Sequence, residues 1–539
     1  MQLNLLSRNR SAALRTGAPT VRFMSSTSIP RSKSPPSRDS VAVDVSPFHL
    51  KSEEVRADPR RLRRFKGSIR ESVRGIRSRK RIAISLCLLM AVLGFSEPTS
   101  SAETHRPNFV LVFIDDMGWG DFSCFGNTAV QTAQVDRLAA EGLRFSQFYV
   151  NSPICSPSRT ALTTGQYPQR WRINSFLNNR AANERRGMAQ WLDPQAPTLA
   201  RFLKQGGYTT GHFGKWHLGG QRDVGEAPLI SEYGFDETLT NFEGLGARLL
   251  PLCDAHDGQP LRKHALGSDN LGRGPIIWMD REKITEGYVG GAMAFMRKAV
   301  ADQKPFYVNV WPDDVHSPFY PPAARRGDGE KRTLYHGVLK TMDEQLGVLF
   351  DFIRYDTQLR TNTLVLVCSD NGPELGAGSA GPFRGTKTML YEGGVRSPLI
   401  VWGPGFIPND KVGGHNETSV FSAFDLVPSL LTLAGVKLPA DTFDGENLAA
   451  TLQGKSAASR EAPLCWRRPP DRPGDAAENL PDLAIRAGQW KLLCEYDGSR
   501  PQLYNLSKDR AETTNLAMEH PELVRRLTAS VRQWYQSAP

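Results

Sequence analysis

The sequence is poor in cysteine, in long apolar runs and in repetition. Cysteine occurs 7 times in 539 residues, too few for a scaffold built on disulfides. The longest nearly apolar stretch, residues 82–95, covers 14 positions. That is short of the roughly 20 needed to span a bilayer, so a polytopic membrane protein is excluded. Without internal repeats or heptads, solenoids and coiled coils are excluded too. Excess acid is also missing, and the formal charge is +11. That basicity is concentrated at one end. Residues 1–102 hold 20 Lys and Arg against 7 Asp and Glu, whereas the other 437 hold 47 against 49. A body so near neutrality gives no reason to expect nucleic acid as a partner. What remains is ordinary globular material, 40% hydrophobic and 23% charged, sufficient for a large core and roughly two to four domains.

The basic end, residues 1–102, has the layout of a leader. An aperiodic stretch rich in Ser, Arg and Pro ends in the basic run 77–81. The apolar core 82–95 follows, and Ser100, Ser101 and Ala102 offer small residues for cleavage. This order is that of a secretory signal. It predicts an exported protein, periplasmic or secreted, cut near Ala102 and without a permanent membrane anchor. In an oxidising compartment Cys465 and Cys494 are a plausible disulfide pair, while Cys368, inside an apolar run, reads as a buried thiol.

The mature body alternates apolar runs with helical patterns. Strands are expected at 108–114, 208–212, 306–311, 363–368 and 397–402, and helices at 135–142, 198–205, 291–300, 335–355 and 420–434. Unbroken apolar strands alternating with helices indicate a sheet covered on both faces. The expected fold is therefore α/β, with a large mixed, mostly parallel sheet over residues 103–455. Residues 456–539 then form a smaller C-terminal α+β subdomain, with short strands at 483–486 and 490–494. Its terminal helix presents Leu523, Leu527, Val531 and Trp534 on one face.

Polar residues gather where sites form in open α/β sheets, beyond the carboxyl ends of the strands. The first strand runs into Asp115 and Asp116. The others lead to Lys215 and His217, to Asp313, Asp314 and His316, and to Asp370 and Asn371. Asp115, Asp116, Asp370 and Asn371 offer only oxygen, which suits Ca²⁺ or Mg²⁺ over Zn²⁺. The same residue types also cap helices and form turns.

The sharpest local feature spans residues 155–165, Cys-Ser-Pro-Ser-Arg-Thr-Ala-Leu-Thr-Thr-Gly. Pro157 near a helix start puts Cys155 at the N-terminus, where free N–H groups favour anions. Arg159 lies one turn on. Together they suggest attack on an oxyanion ester. A helix end contributes only about 1 kcal/mol, so slow sulfate or phosphate esters call for a metal Lewis acid as well. A thiolate phosphatase with a Cys-x5-Arg loop would need Arg at 161, where Ala161 stands.

At these residues the chain resembles the type I sulfatases, the arylsulfatase family of the alkaline-phosphatase-like superfamily. The string Cys155-x-Pro157-Ser158-Arg159-x-x-Leu162-x-x-Gly165 matches the family signature in full. Segment 211–218 (GHFGKWHL) matches a second signature. Asp115-Asp116, Ser369-Asp370-Asn371-Gly372 and segment 385–396 (GTKTMLYEGGVR) match further motifs, and 485–517 resembles the family's C-terminal subdomain.

The resemblance implies a sulfuric ester hydrolase acting on a sulfated carbohydrate or aryl sulfate. It also implies that a maturation enzyme oxidises Cys155 to Cα-formylglycine. One hydroxyl of the hydrated aldehyde attacks sulfur, and the other later expels sulfate. By the same resemblance Asp115, Asp116, Asp370 and Asn371, with residue 155, are expected to hold Ca²⁺ or Mg²⁺. Arg159 and Lys215 stabilise the modified residue. His217 acts as base, and His316 and Lys387 grip the sulfate, with His316 the acid for the leaving alcohol.

Two other readings stay open: a phosphodiesterase or phosphonate monoester hydrolase of the same superfamily, and a non-catalytic sulfated-glycan-binding protein. The segments 174–192 and 241–278 are expected to form the pocket rim. They carry Arg180, Arg185, Arg186, Trp191, Arg248, Arg262, Lys263 and His264. His212, His256, His336 and His415, like His264, have no motif and are expected at the surface or pocket wall.

Overall fold

The computed structural model describes residues 106–254, 256, 258–471 and 480–537. The expected leader, its apolar core and the cleavage point near Ala102 lie outside them. Among the described residues no helix is long and apolar enough to cross a membrane.

Strand β1 (Asn108–Ile114) is buried at every position, as a strand covered on both faces must be. Phe109, Leu111 and Phe113 enter one core layer with helices Cys155–Thr164, Leu199–Gln205 and Leu426–Leu433. Val110, Val112 and Ile114 enter the other with helices Ala133–Ala140, Ile284–Ala301 and Lys331–Tyr355. The two-residue period of the strand thus feeds two separate cores. Each such buried side chain contributes roughly 1.5–3 kcal/mol.

The sheet continues with β2 (Leu143–Tyr149), β3 (Thr209–Gly214), β4 (Glu237–Thr240), β5 (Arg248–Cys253), β6 (Arg262–Lys263), β7 (Ile276–Asp280), β8 (Phe306–Trp311), β9 (Thr363–Ser369), β10 (Arg396–Trp402), β11 (Gly414–Asn416) and β12 (Phe421–Ser422). Its main path runs β11-β2-β10-β9-β1-β8-β3-β4-β5-β6. The central strands β9, β1, β8 and β3 are parallel. Strand β10 is antiparallel to both of its neighbours, β9 and β2. A parallel connection needs a crossover of a dozen or more residues, usually helical. The segment between β9 and β10 holds only the short helix Glu392–Val395, and β10 enters from the edge at which β9 leaves. That reversal carries segment 385–395 to the polar edge of the sheet.

Sequence patterning misses β2, whose Arg144, Ser146 and Gln147 interrupt the apolar run. The helix expected at 420–434 begins later, at Leu426, after β12 and a 3₁₀ turn. Pro428 then falls in its first turn, where no intrahelical N–H is needed.

A second sheet, antiparallel throughout, runs β13 (Leu464–Arg467), β14 (Leu483–Ala487), β15 (Trp490–Cys494) and β16 (Gln502–Asn505). Helix Pro521–Ser537 packs on it through Leu527 and Val531, with Leu523 and Trp534 partly buried. The expected Cys465–Cys494 disulfide is absent, and both thiols are free. They sit on β13 and β15, with β14 between them. Two strand spacings, about 9–10 Å, exceed the Cα separation a disulfide bridges. Cys368 is a buried thiol, as expected.

Candidate active site

Because β1, β3, β8 and β9 are parallel, their carboxyl ends share one edge, and Asp115, Lys215, Asp313 and Asp370 leave from it. Strand β2, antiparallel to β10, ends at the same edge and delivers Cys155. Cys155 is the first residue of helix Cys155–Thr164. The backbone bends sharply here: Asp116, His217 and Thr388 have φ of 59°, 55° and 75°, left-handed values that are uncommon outside glycine and concentrate at functional sites. At Gly214, φ is 124°, and an added Cβ would lie 2.1 Å from the Trp311 carbonyl oxygen, so only glycine lets β3 turn into Lys215.

Arg159 is fully buried and ties the edge together. Its Nη2 donates to Asp115 Oδ1 at 2.9 Å and to Asp370 Oδ2 at 2.8 Å, and its Nη1 donates to the Lys215 carbonyl at 2.9 Å. The guanidinium lies over the Trp311 ring, 5.3 Å from its centroid. Lys215 Nζ donates to Asp115 Oδ2 at 2.6 Å, and Lys387 pairs with Asp116. His316 Nδ1 lies 2.8 Å from the Ser317 carbonyl, and its Nε2 lies 3.5 Å from Asp116 Oδ2.

Charge decides the protonation states. Burial pushes Asp115 up, but Lys215 and Arg159 hold it well below the usual carboxylate range. Burial likewise opposes Lys387 at Asp116, and the lysine wins. Asp370 goes the other way: burial and the charge of Asp115 raise it well above the carboxylate range despite Arg159. Burial raises the Cys155 thiol. It lowers His217 to about 4 against the pull of Glu243. His316 is held below the usual imidazole range by burial, which outweighs Asp116 with help from Lys387 and Lys215.

Asp115, Asp116 and Asp370 each offer a carboxylate oxygen within 4.8 Å of the others, all buried. Asn371 Nδ2 donates to Asp116 Oδ1 at 2.8 Å, and its buried Oδ1 has no hydrogen-bond partner. Three crowded carboxylates, one of them pushed toward protonation, and an orphan amide oxygen form a donor set that fits a hard cation.

A cavity of about 720 Å³ opens above this edge. Cys155, Lys215, His217, His316 and Lys387 line it, so five of the expected residues share one space. Arg159 lies beneath it. Phe176, Phe242 and Tyr320 add aromatic wall, and Glu374, Arg281 and Asp313 add charge. Asp313 binds Arg281 at 2.8 Å and Asn241 at 3.0 Å, while Asp314, which is not part of the wall, bonds to Thr285.

The two expected rim segments do reach the cavity, but most of their expected side chains do not. Among these, only His264 lines it. Arg248 is fully buried and donates to the carbonyls of Ser268 and Gly272, shaping the rim from inside. Arg186 pairs with Asp471, Arg180 with Glu226, and Lys263 lies over Trp278. Arg185 and Arg262 are exposed, and Trp191 packs on Val224, Ala227 and Leu245. His212, expected at a surface or pocket wall, is fully buried among Trp216, Phe235 and Trp311. Arg222 and Glu243, both on the wall, carry no local motif.

Fold and site together define a hydrolytic enzyme of the alkaline-phosphatase-like superfamily. The comparisons narrow this. A family model described as Sulfatase matches residues 107–436, and one described as N-sulphoglucosamine sulphohydrolase, C-terminal, matches 383–536. The chain belongs to the sulfatase family, as a type I sulfatase and sulfuric ester hydrolase. It is 32% identical over 419 residues to the N-acetylgalactosamine-6-sulfatase of Canis lupus familiaris, covering 75% of this chain and 74% of that protein. It is 29% identical over 505 residues to the N-acetylgalactosamine-6-O-sulfatase of Bacteroides thetaiotaomicron, covering 79% and 92%. The crystal structure of Ps i-CgsB in complex with k-i-k-neocarrahexaose shares the fold, with TM-score 0.66 at 24% identity over 80% of this chain and 94% of that one.

Proposed function

We propose that this protein removes sulfate from a sulfated carbohydrate, using formylglycine made from Cys155 and a bound Ca²⁺ (or Mg²⁺). The observation that carries this is Cys155 itself. It opens a helix on the cavity wall, yet burial raises its thiol, which disfavours a thiolate nucleophile and suits a precursor. A hydrated aldehyde at 155 would supply the hydroxyl that a thiol cannot. The cation, held by Asp115, Asp116, Asp370 and Asn371 with residue 155, would supply Lewis-acid polarisation of the sulfate.

The side chains divide the remaining work. Arg159 is a positioning residue: it locks Asp115 to Asp370 and fixes the Lys215 backbone. Lys215 neutralises Asp115 and supports residue 155 from the cavity wall. Lys387 and His316 face the same space as fixed and switchable charges for the sulfate oxygens. His316 is neutral before substrate arrives, and a bound sulfate favours its protonated form, which then donates at Nε2 to the leaving alcohol oxygen. His217 accepts a proton at Nδ1, as its hydrogen bonding allows. Phe176, Phe242 and Tyr320 offer apolar faces for a sugar ring, in keeping with the N-acetylgalactosamine sulfatases named above.

The reading extends to a maturation enzyme as partner and to export after cleavage near Ala102. It divides the mature chain into a catalytic domain over 103–455 and a C-terminal subdomain over 456–539. Mass spectrometry of the tryptic peptide 145–159 from host-expressed protein tests it. An aldehyde at 155, with sulfate released from aryl or sugar sulfates faster than phosphate from matched esters, is the expected result. An intact thiol together with full activity overturns it.

A further inference from the structure

Arg222 stands on the wall of the cavity that holds Cys155 and His217. Its backbone φ is 54°, in the left-handed region that a side chain disfavours. The turn cannot relax. On one side Gln221 is fully buried and donates through Nε2 to the Asn178 carbonyl at 2.9 Å. On the other, Val224 is locked in a small core with Ala227 and Leu245. Non-glycine residues held in this region cluster at active sites and ligand clamps.

The charge around it is unbalanced. The other cations of the wall have carboxylates: Lys215 has Asp115 at 2.6 Å, Arg281 has Asp313 at 2.8 Å, and Lys387 has Asp116. Among the described residues Arg222 has no ion-pair partner, and its Nε is buried without a hydrogen-bond acceptor. His264 on the same wall is held below the usual imidazole range by burial, then by Arg281 and Arg222; its ring is neutral and does not balance the guanidinium. An arginine kept only for solubility needs neither a left-handed turn nor a buried, unsatisfied donor.

We infer that Arg222 binds a second anionic group of the substrate, a carboxylate or a further sulfate, apart from the sulfate that is cleaved. This rests on the cavity being a sulfated-carbohydrate site. It narrows the substrate to a sugar or oligosaccharide with at least two negative groups. The planar guanidinium suits both candidates, because each presents oxygens that a fork of N–H groups can meet.

Binding tests this without requiring turnover. Titration calorimetry on the full chain would use three ligands: N-acetylgalactosamine 6-sulfate, its 4,6-disulfate, and a disaccharide joining a uronate to the 6-sulfated sugar. At least one of the two dianionic ligands should bind the parent about tenfold or more tighter than the monosulfate, the scale of a charge-assisted contact. In Arg222→Met that ratio should fall to about one, and Arg222→Lys should keep part of it. A gain from the disulfate alone assigns the site to sulfate, and a gain from the uronate alone assigns it to a carboxylate. Equal binding of all three ligands by the parent, or a ratio that survives Arg222→Met, overturns the inference. Equal melting temperatures in parent and variants exclude misfolding as the cause. Sulfate release from an aryl sulfate by the matured parent is scored separately, so failure of the hydrolase reading is distinct from failure of this one.

Discussion

His217 Nε2 lies 2.8 Å from the carbonyl oxygen of Leu177. A carbonyl only accepts, so in the neutral ring Nε2 carries the proton and Nδ1 the lone pair. Nδ1 is buried with no hydrogen-bond partner, and the ring lines the cavity. Burial keeps the imidazole uncharged at neutral pH. The ring is thus preset as a proton acceptor. His217→Gln should lower kcat on an aryl sulfate by roughly a hundred- to ten-thousandfold with little change in melting temperature. A variant that retains most of the parent kcat removes His217 from the chemistry.

The carboxylate cluster makes a two-sided prediction. Without a cation, Asp370 is crowded by Asp115 at full burial. With one, the same charges become ligands. Thermal melts in chelator should show Asp370→Asn at least as stable as the parent. Ca²⁺ at about a hundred times its Kd should stabilise the parent by about 2.7 kcal/mol, and the variant by much less. A parent melting temperature indifferent to Ca²⁺ and Mg²⁺ would remove the cation from the site.

Most of the site's inner layer is legible in the sequence, because parallel strands announce themselves as apolar runs and their polar exits must converge on one edge. Asp115, Lys215 and Asp370 are of this kind, and Cys155 is marked by its own motif. Lys387 reaches the edge by another route, just before antiparallel β10, and only its motif gives it away. The wall is legible as segments, 174–192 and 241–278, but not, His264 apart, as side chains. Glu243 comes within 3.4 Å of His217, and Arg222 enters from a turn, through loops whose paths depend on tertiary packing. Arg248 shows the limit well: an arginine in a rim segment looks like a ligand for sulfate, yet it serves as an internal tie for two backbone carbonyls.

One tie between the C-terminal sheet and the motif around 385–396 is a buried lysine. Lys491 Nζ lies 3.0 Å from Glu392 Oε1 and 3.0 Å from Glu512 Oε1, with all three side chains at 0% exposure. Glu392 also receives Arg396 and the Tyr149 hydroxyl. Lys491→Met would keep the volume but leave two acids facing each other out of water. The expected cost is about 3–5 kcal/mol, read as a lower denaturation midpoint. Lys491→Arg should recover part of it. A methionine variant as stable as the parent would mean that the cluster's charges are already neutralised by other means.

His212 links the fold to pH. Its ring is enclosed by Trp216, Trp311 and Phe235, with centroids 4.9–5.4 Å away. Nε2 lies 3.2 Å from the Gly214 carbonyl, and Nδ1 lies 3.3 Å from the Asn309 amide nitrogen. Nε2 donates and Nδ1 accepts, so the neutral ring is fully satisfied. Burial, aided by the Arg159 charge, lowers its pKa to about 3. In the unfolded chain the ring titrates at about 6.5, so as pH falls the unfolded state takes up the proton first. The stabilisation from the neutral ring is therefore complete above that value and is lost on the way down to about 3. His212→Phe removes the titration and keeps the aromatic packing. Between about pH 7.5 and about pH 5 the parent should lose about 2 kcal/mol more than the variant, measured by chemical denaturation at each pH. Parallel losses in the two proteins would show that His212 is protonated, or solvated, in the folded state.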